Sequence, residues 1–393
     1  MASSVGPFAV NTYLPGLDAM GAAFAASPAL MQNTLSAYLV GFALCSLFIG
    51  AVSDAVGRRP ALLGGMALFA GASIAVLFAP NIWTFIFLRF IEGLGAGVGQ
   101  VVTQASVRDR FSGLDATWLN GMIALIFALC PALAPVLGGQ IVVRFSWEAV
   151  FIFLALYALL NAAVIYFFLP ETLPEGRRTP FRAGPLLSGY AMALKNRAYM
   201  AGAFSNCASF SGMLLYTSAS ADIILHILKM GPDDFAYLSV PMVASSMAGA
   251  FCCAWAVSKL GGKKAISAML FMMTAVSAAA TICGYALPLT YPFIILGPLI
   301  FGFGTSFCQP EMFTMNFDYF PNNRGVAASV QQCLQSFGFA FATSVIVPAA
   351  MGAMWRYTLA SALLGLAALI FWQVSLRFRP GALKAAGVAE EHF

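Results

Sequence analysis

Charge is the scarcest property of this 393-residue sequence: only 9% of its residues are Asp, Glu, Lys or Arg, while 61% are apolar. Soluble domains carry roughly 25% charged residues, so a water-soluble chain of this composition could not cover its surface. The mean hydropathy is +0.85. The composition therefore predicts an integral membrane protein, for which the bilayer is the solvent.

Residues suited to metal or redox chemistry are also few. The two histidines, His226 and His392, are too far apart for a metal site. None of the eight cysteines has CxxC or zinc-ligand spacing, and all lie in apolar segments, where free cysteine packs as a small buried hydrophobe. We therefore expect neither a cofactor nor a membrane-embedded enzyme, which would need a convergent cluster of catalytic groups.

The apolar residues form twelve segments of about 20 residues or more, the length of helix that crosses a bilayer. The predicted spans are 4–24, 31–53, 60–79, 82–106, 117–142, 147–169, 199–222, 234–258, 263–286, 290–313, 325–350 and 354–377. The first and seventh are the weakest, because they are rich in Ser, Gly and Asn. The first 25 residues lack the basic region of a signal peptide, and the sequence leaves open whether the start of helix 1 is complete.

Basic residues orient these spans. With both termini in the cytoplasm, 16 of the 20 Lys and Arg lie on the cytoplasmic side, Arg89 lies within a span, and only Arg144, Lys229 and Arg356 lie outside. Lys and Arg beside spans stay predominantly in the cytoplasm. Because the basic residues cluster in short loops, the net charge of +5 does not indicate nucleic-acid binding.

A polar, proline-containing stretch follows the sixth span and divides the chain. The predicted regions are a six-helix half at 1–169, a cytoplasmic linker at 170–198, a second six-helix half at 199–380 and a cytoplasmic tail at 381–393. An internal echo supports the division, because Ser258–Lys264 follows span 8 as Ser53–Arg59 follows span 2. Repeats of this kind place a binding site at their interface near mid-membrane.

The loop between spans 2 and 3 has the pattern Gly-x-x-x-Asp-x-x-Gly-Arg-Arg, formed by Gly50, Asp54, Gly57, Arg58 and Arg59. Gly57 permits a sharp turn that a side chain would obstruct. Asp54 is a lone carboxylate at a helix end, where it can pair with a cation or face a helix N-terminus. The run resembles the loop 2–3 motif of the major facilitator superfamily.

That resemblance implies an all-α membrane protein of twelve helices in two six-helix halves, and a role for the loop as a conformational latch. In the latch, Asp54 and Arg58 hold one conformation against span 11, with Arg324 as a neighbour. Ala55 stands where the family usually has a further Arg.

Further segments are similar to drug:proton antiporters of this superfamily. Arg89 to Gly93 in span 4 resembles their Arg-x-x-x-Gly motif, with Glu92 where Gln is usual. The antiporter motif of span 5 is matched by four residues, although Ala134 replaces the glycine that usually precedes the second proline. These four are Pro131, Pro135, Gly138 and Gly139. Proline and glycine there would kink the helix and let another helix approach closely.

Other segments resemble the bicyclomycin/chloramphenicol resistance (Bcr/CflA) branch. Tyr13-Leu14-Pro15 matches part of its Asp-x-Tyr-Leu-Pro signature. Trp147–Phe151 and Pro170-Glu171-Thr172 sit where the branch has Trp-Arg-x-x-Phe and Pro-Glu-Thr. Asn11 stands where the branch has an Asp that is an expected protonation site. Because Asn11 cannot titrate, the sequence leaves open whether proton coupling follows the usual scheme.

Several polar side chains inside spans are candidates for a proton and substrate cavity. Arg89 is deep in span 4, where a charge usually marks function, and Glu92 lies on nearly the same helical face. An alternative for these two is a purely structural ion pair. The other candidates are Asn11, Tyr13, Asp222, Glu311 and Gln331. A helix terminus is the alternative role for both Asp222 and Glu311, and Gln331 can serve as interhelical glue.

The leading hypothesis is a secondary transporter that exports small compounds in exchange for protons, by alternating access, without a cofactor other than the proton gradient. The alternative is a dedicated exporter or importer of a native metabolite, such as a siderophore or an amino-acid derivative. The resemblance implies a monomer in a bacterial inner membrane, whose partners are lipid, protons and a small-molecule substrate. The substrate itself depends on cavity shape, which no motif reports.

Overall fold

The computed structural model describes residues 2–111, 113–174, 176, 178, 183–231, 233–286, 293–320 and 324–386, and within these residues it contains helices, turns and loops but no strands. The helices of the first part are α1 (Val5–Asn11), α2 (Leu17–Ala23), α3 (Pro28–Val56), α4 (Arg58–Val76), α5 (Ile82–Arg110), α6 (Gly113–Arg144) and α7 (Trp147–Phe168). Those of the second part are α8 (Ala183–Lys195), α9 (Arg197–Ser218), α10 (Ala236–Leu260), α11 (Gly262–Ala286), α12 (Leu296–Phe317), α13 (Arg324–Phe341), α14 (Val347–Ala350) and α15 (Met354–Ala386).

Eight membrane spans in the described part of the chain are long and apolar enough to cross a bilayer. They are α3, α4, α5, α7, α10, α11, the segment Arg324–Ala350 that contains α13 and α14, and α15. The other four predicted spans correspond to α6, α9, α12 and the broken segment that contains α1 and α2. The protein is therefore an all-α membrane protein with the twelve-span architecture that the sequence predicted.

Two features of the predicted organisation differ from the structure. Helix α15 continues to Ala386, beyond the predicted end at 377, and includes Pro380, because a helix can extend past the apolar stretch that marks a span. The stretch 170–198 contains helix α8, which its prolines did not suggest. His392 and the end of the tail lie outside the described residues.

The chain forms two compact units, Met1–Ala183 with Gly231–Ala236, and Gly184–Met230 with Tyr237–Phe393. Each unit has a helix pair in which glycine brings two backbones together. In the first, a Cβ on Gly41 of α3 would collide with the carbonyl of Phe90 on α5, and in the second a Cβ on Gly249 of α10 would collide with the carbonyl of Phe303 on α12. Small residues permit such close approach in membranes, where van der Waals packing holds helices together.

Glycine also makes corresponding turns in the two units. Gly57 (φ +106°) joins α3 to α4, and Gly261 (φ +78°) joins α10 to α11. Both conformations are left-handed, which side chains disfavour. The echo that the sequence shows between these loops is therefore present in the backbone.

The outer surfaces of the helices are apolar. Phe167 and Phe251 are more than 70% exposed, as a lipid-facing surface allows. All eight cysteines are free, but Cys252 and Cys283 are exposed. The expectation that every cysteine is buried was wrong for these two, because an apolar segment in a bilayer has an outward face as well as a packed one.

Candidate functional site

An ion pair inside the first unit joins Arg89 and Glu92, one turn apart on α5. Both side chains are fully buried, and Arg89 Nη1 lies 2.5 Å from Glu92 Oε2. The other carboxylate oxygen accepts a hydrogen bond from the Ser73 hydroxyl on α4 at 2.5 Å. Because both oxygens of Glu92 are engaged, the pair ties α4 to α5 and compensates charge that would otherwise be costly to bury.

The break in the first span explains a second contact of Arg89. Pro15 has no N–H to donate to the carbonyl of Asn11, and α1 ends at Asn11. The last carbonyls of a helix lack intrahelical partners, and Arg89 Nη2 donates to one of them, on Ala9, at 3.2 Å. The Arg89 side chain thus ties the broken span to α5.

Aromatic rings surround the guanidinium group of Arg89. Its Cζ lies 4.3 Å from the ring centre of Tyr13 and 4.7 Å from that of Tyr38. Cations over aromatic faces are stabilised, more strongly when desolvated. Tyr13, named above as a cavity candidate, is fully buried. Arg89, Glu92 and Tyr13, which the sequence analysis named, are therefore packed together in the first unit, and the rings of Tyr13 and Tyr38 form an aromatic cage around Arg89.

Asn11, at the end of α1, is buried, and its side-chain amide bonds to its own helix. Its Nδ2 donates to the carbonyl of Pro7 at 2.7 Å. Its Oδ1 is buried and has no hydrogen-bond donor among the described residues. The position that carries an acid in the resembling branch is thus neutral here, and its amide oxygen is left available to a donor. Asp18, a possible substitute two turns on, is exposed.

The antiporter motif of α6 packs directly on the broken first span. Pro131 and Pro135 lie within the continuous helix α6. Gly138, one turn after Pro135, is buried, and a Cβ there would collide with the carbonyl oxygen of Thr12. Gly139 is also buried. The close helix approach expected from this motif is therefore found at Gly138, against the point where the first span breaks.

The loop 2–3 motif forms a charge cluster around Arg58, which is 6% exposed. Its guanidinium group lies 2.6 Å from Asp54 Oδ1 and 2.8 Å from Asp109 Oδ2, at the end of α5. It also donates to the Ser53 hydroxyl at 2.6 Å. Two carboxylates thus share one buried cation and tie the ends of α3 and α5 to the start of α4.

Glu171 completes this cluster from beyond α7. Its Oε1 accepts from the backbone N–H of Arg58 at 3.0 Å, and its Oε2 accepts from that of Arg59 at 3.3 Å. The carboxylate therefore caps the N-terminus of α4, where negative charge is favoured. Gly57 makes room for it, because a Cβ there would lie 2.6 Å from Glu171 Oε2. At Gly50, by contrast, nothing lies within 4 Å of an added Cβ, so packing does not require glycine at this position.

The Asp54→Asn substitution is expected to change stability little. The Asp54 side chain is 43% exposed, and exposed ion pairs contribute about 0–1 kcal/mol. Asp109 still compensates Arg58 in this variant. A change of several-fold in the initial transport rate at an unchanged unfolding temperature would therefore report the latch rather than folding. Asp109→Asn is the matched control for charge, and unchanged transport in Asp54→Asn would contradict a latch that depends on this carboxylate.

Two candidate acids of the second unit differ in how strongly they are engaged. Asp222 Oδ2 accepts from the Tyr357 hydroxyl at 2.8 Å and from the N–H of Gly352 at 3.0 Å. Its other oxygen lies 3.3 Å from His226 Nδ1. Asp222 thus ties the π-helical turn Asp222–Ile227 to the start of α15. This geometry is that of a carboxylate at a helix terminus.

Glu311 on α12 has fewer contacts. It is partly exposed, and its carboxylate lies against Gly262, the first residue of α11. Within the described residues, no ion pair or hydrogen bond engages this carboxylate. Arg379, a cation that influences it electrostatically, is itself paired with Asp318 at 2.9 Å. Glu311 is therefore the candidate acid with the most freedom to exchange a proton.

Amide side chains form a polar cluster between helices of the second unit. Gln331 is fully buried, and its Oε1 accepts from Asn316 Nδ2 at 3.5 Å. Gln335 donates to Asn206 Oδ1 on α9. Sequence reasoning named Gln331 but missed Asn206 and Asn316. The sequence did carry a signal for these asparagines, because a buried amide in a span needs a hydrogen-bond partner. Which side chains pair, however, depends on helix packing, which no local pattern reports. The described residues contain no group of three or more metal-ligating side chains.

A broken first helix, buried charges between spans and a helix-capping loop network define a polytopic membrane transporter. The sequence matches the Major Facilitator Superfamily over residues 1–343. The chain belongs to this superfamily, and the resemblance to it and to its Bcr/CflA branch is confirmed.

Relatives of this chain include named resistance proteins. It is 29% identical over 261 residues, 66% of each chain, to a bicyclomycin resistance protein homolog of Haemophilus influenzae. It is 28% identical over 309 residues, 77% of each chain, to the multidrug resistance protein MdtL of Shigella dysenteriae. It is 33% identical to the MFS-type transporter YdgK of Bacillus subtilis, of which the match spans 60%. The matched part is thus about two thirds or less of two of these relatives.

Solved structures share the fold. A D-xylose–proton symporter superposes with a TM-score of 0.72 at 17% identity, covering 93% of this chain and 95% of the symporter. The human organic anion transporter MFSD10 superposes with a TM-score of 0.65 at 19% identity, covering 95% of this chain and 98% of that one. At these identities the likeness concerns the fold alone.

Proposed function

We propose that this chain is a secondary active transporter that exports small, mostly apolar compounds in exchange for protons, by alternating access between its two halves. The observation that carries the proposal is the superfamily match over residues 1–343, together with relatives named for bicyclomycin and multidrug resistance. The chain acts as a carrier and not as an enzyme. It works as a monomer in a bacterial inner membrane, with both termini cytoplasmic as the basic loops favour.

The proton gradient supplies the energy, and Glu311 is the residue that we propose as carrier. An intramembrane carboxylate is a common element of proton relays, and a carrier must be able to gain and lose its proton during the cycle. Glu92 and Asp222 are held by fixed partners, which supports structural roles for them. The near absence of partners at Glu311 favours a titrating role.

Proteoliposomes loaded with a pH-sensitive dye test this proposal. Adding bicyclomycin, chloramphenicol or ethidium outside is expected to draw protons out of the lumen and raise its pH. Glu311→Gln is expected to slow this response at least about tenfold, since a proton relay needs an ionisable group within the membrane. The exposed loop residue Asp233 offers the matched control, Asp233→Asn, which is expected to behave as wild type.

Full coupling in Glu311→Gln would remove this residue as the carrier. If none of the three compounds drives proton movement in the wild-type protein, multidrug exchange is contradicted. That result would favour the second candidate, a dedicated transporter of a native metabolite. Asn11 supports that second candidate, because a buried neutral amide replaces the acid of the resembling branch and leaves an amide oxygen without a donor among the described residues.

A further inference from the structure

A cavity in the second unit lies where the amphipathic helix α8 meets the first residues of α9. Its volume is about 530 Å³, within the range of ligand pockets, ~300–1,000 Å³. Its floor and walls include Tyr319 and Phe320, after α12, and Phe378 on α15. Two cations, Lys195 and Arg197, line the same cavity. The cavity therefore combines an apolar interior with positive charge at its rim.

Among the described residues, no carboxylate pairs with Lys195 or Arg197. The Arg197 guanidinium group lies 6.0 Å from the ring centre of Phe378. The nearby carboxylate of Asp318 is taken by Arg379, at 2.9 Å. The rim thus keeps a net positive charge, and a ligand for it carries negative charge.

Helix α8 indicates where the cavity lies relative to the bilayer. One of its faces is anchored, because Ala193 is fully buried and Tyr190 is nearly so, and burial raises the pKa of the Tyr190 phenol to about 12. Three other apolar side chains of the helix, Leu187, Met192 and Leu194, are each more than half exposed. A short helix that combines buried side chains with exposed apolar ones is suited to the membrane interface. Such a placement would put its last residue, Lys195, at headgroup level.

We propose that this cavity binds the phosphate-bearing headgroup of an anionic membrane lipid, such as phosphatidylglycerol. Lys195 and Arg197 contact the phosphate, and the aromatic walls contact the glycerol and the upper acyl chain. Basic pockets between membrane helices on the cytoplasmic side are suited to anionic headgroups. A bound lipid would join α8 to the ends of α9, α12 and α15, and so stabilise the second unit. The residues that line the cavity do not include Glu311, which is proposed above as the proton carrier.

Titration of the purified full-length protein with phosphatidylglycerol, followed by native mass spectrometry, measures this binding. Lys195→Gln/Arg197→Gln is expected to lower the apparent affinity about 30-fold, which is about 2 kcal/mol at 1.4 kcal/mol per factor of ten. The matched control, Lys259→Gln/Lys264→Gln, removes two exposed basic residues near the α10–α11 turn and is expected to bind as wild type. All four side chains are exposed, so both variants are expected to fold.

Further measurements distinguish binding of an anionic lipid from binding of other negatively charged groups. Phosphatidylcholine and inorganic phosphate at the same concentration are expected to compete weakly, and competition by inorganic phosphate equal to that of the lipid would overturn the lipid assignment. Equal losses in the two double variants would show general attraction to basic residues and overturn the site. Phosphatidylglycerol binding that appears only after deletion of residues 387–393, which contain Glu390 and Glu391, would assign the cavity to the tail and overturn the proposal.

Discussion

Glu92→Gln is expected to lower the folded yield sharply and to destabilise the first unit by about 3–5 kcal/mol, the cost of leaving one partner of a buried ion pair uncompensated. Arg89 is fully buried 2.5 Å from the Glu92 carboxylate, and within the described residues no other carboxylate is available to it. Arg89→Met is expected to have a similar effect, because it leaves the carboxylate buried without its cation. Thermal unfolding in detergent and the yield of monodisperse protein measure both variants.

The double variant Arg89→Met/Glu92→Met separates a structural pair from a proton carrier. Replacing a buried ion pair by apolar residues of similar volume is often neutral or even stabilising, so the double variant is expected to unfold at a higher temperature than either single variant. If instead Glu92→Gln unfolds as the wild type does but no longer moves protons, the structural interpretation fails and Glu92 is a carrier. Ser73→Ala tests the second carboxylate contact and is expected to show a smaller loss.

The charged residues of the first unit were predictable from sequence, while most of their partners were not. Arg89 and Glu92 stand out because charges inside spans are costly, and their spacing of three predicts a shared face. The contact from Arg89 to the Ala9 carbonyl was not predictable, because it exists only where the first span breaks and a backbone acceptor is freed. The aromatic cage likewise depends on the packing of α3 and α5.

In the loop 2–3 cluster too, the charged residues were predictable from sequence and most of their partners were not. Its local pattern predicted the turn at Gly57 and the cationic role of Arg58. The partners Asp109 and Glu171, 51 and 113 residues away from Arg58 in sequence, follow from the return of α5 and α7 to the same membrane face. Glu171 belonged to a Pro-Glu-Thr segment that sequence reasoning noticed, but its role as the cap of α4 needed the structure. The fold was more predictable than the site, because hydropathy reports spans while contacts depend on helix packing.

Gly138→Ala is expected to have the second large effect. The added methyl group would collide with the carbonyl oxygen of Thr12, and a backbone atom cannot rotate away as a flexible side chain can. Overpacking in a dense core costs about 1–3 kcal/mol and occasionally more, and relief here requires α6 to move from the broken first span. We expect a transport rate at least severalfold lower and a lower unfolding temperature, measured on the same purified preparation.

Gly71→Ala on α4 is the matched control, because nothing lies within 4 Å of a Cβ at that position. Alanine is favoured over glycine within helices by about 0.8–1 kcal/mol, so this control is expected to be neutral or slightly more stable. Gly138→Ala with normal transport and an unchanged unfolding temperature would mean that α6 can separate from the first span without consequence. If transport falls while the unfolding temperature is unchanged, the close contact between Gly138 and Thr12 serves the conformational cycle rather than the resting fold. That outcome would support a functional role for the antiporter motif, since the substitution adds no charge and removes no hydrogen-bonding group.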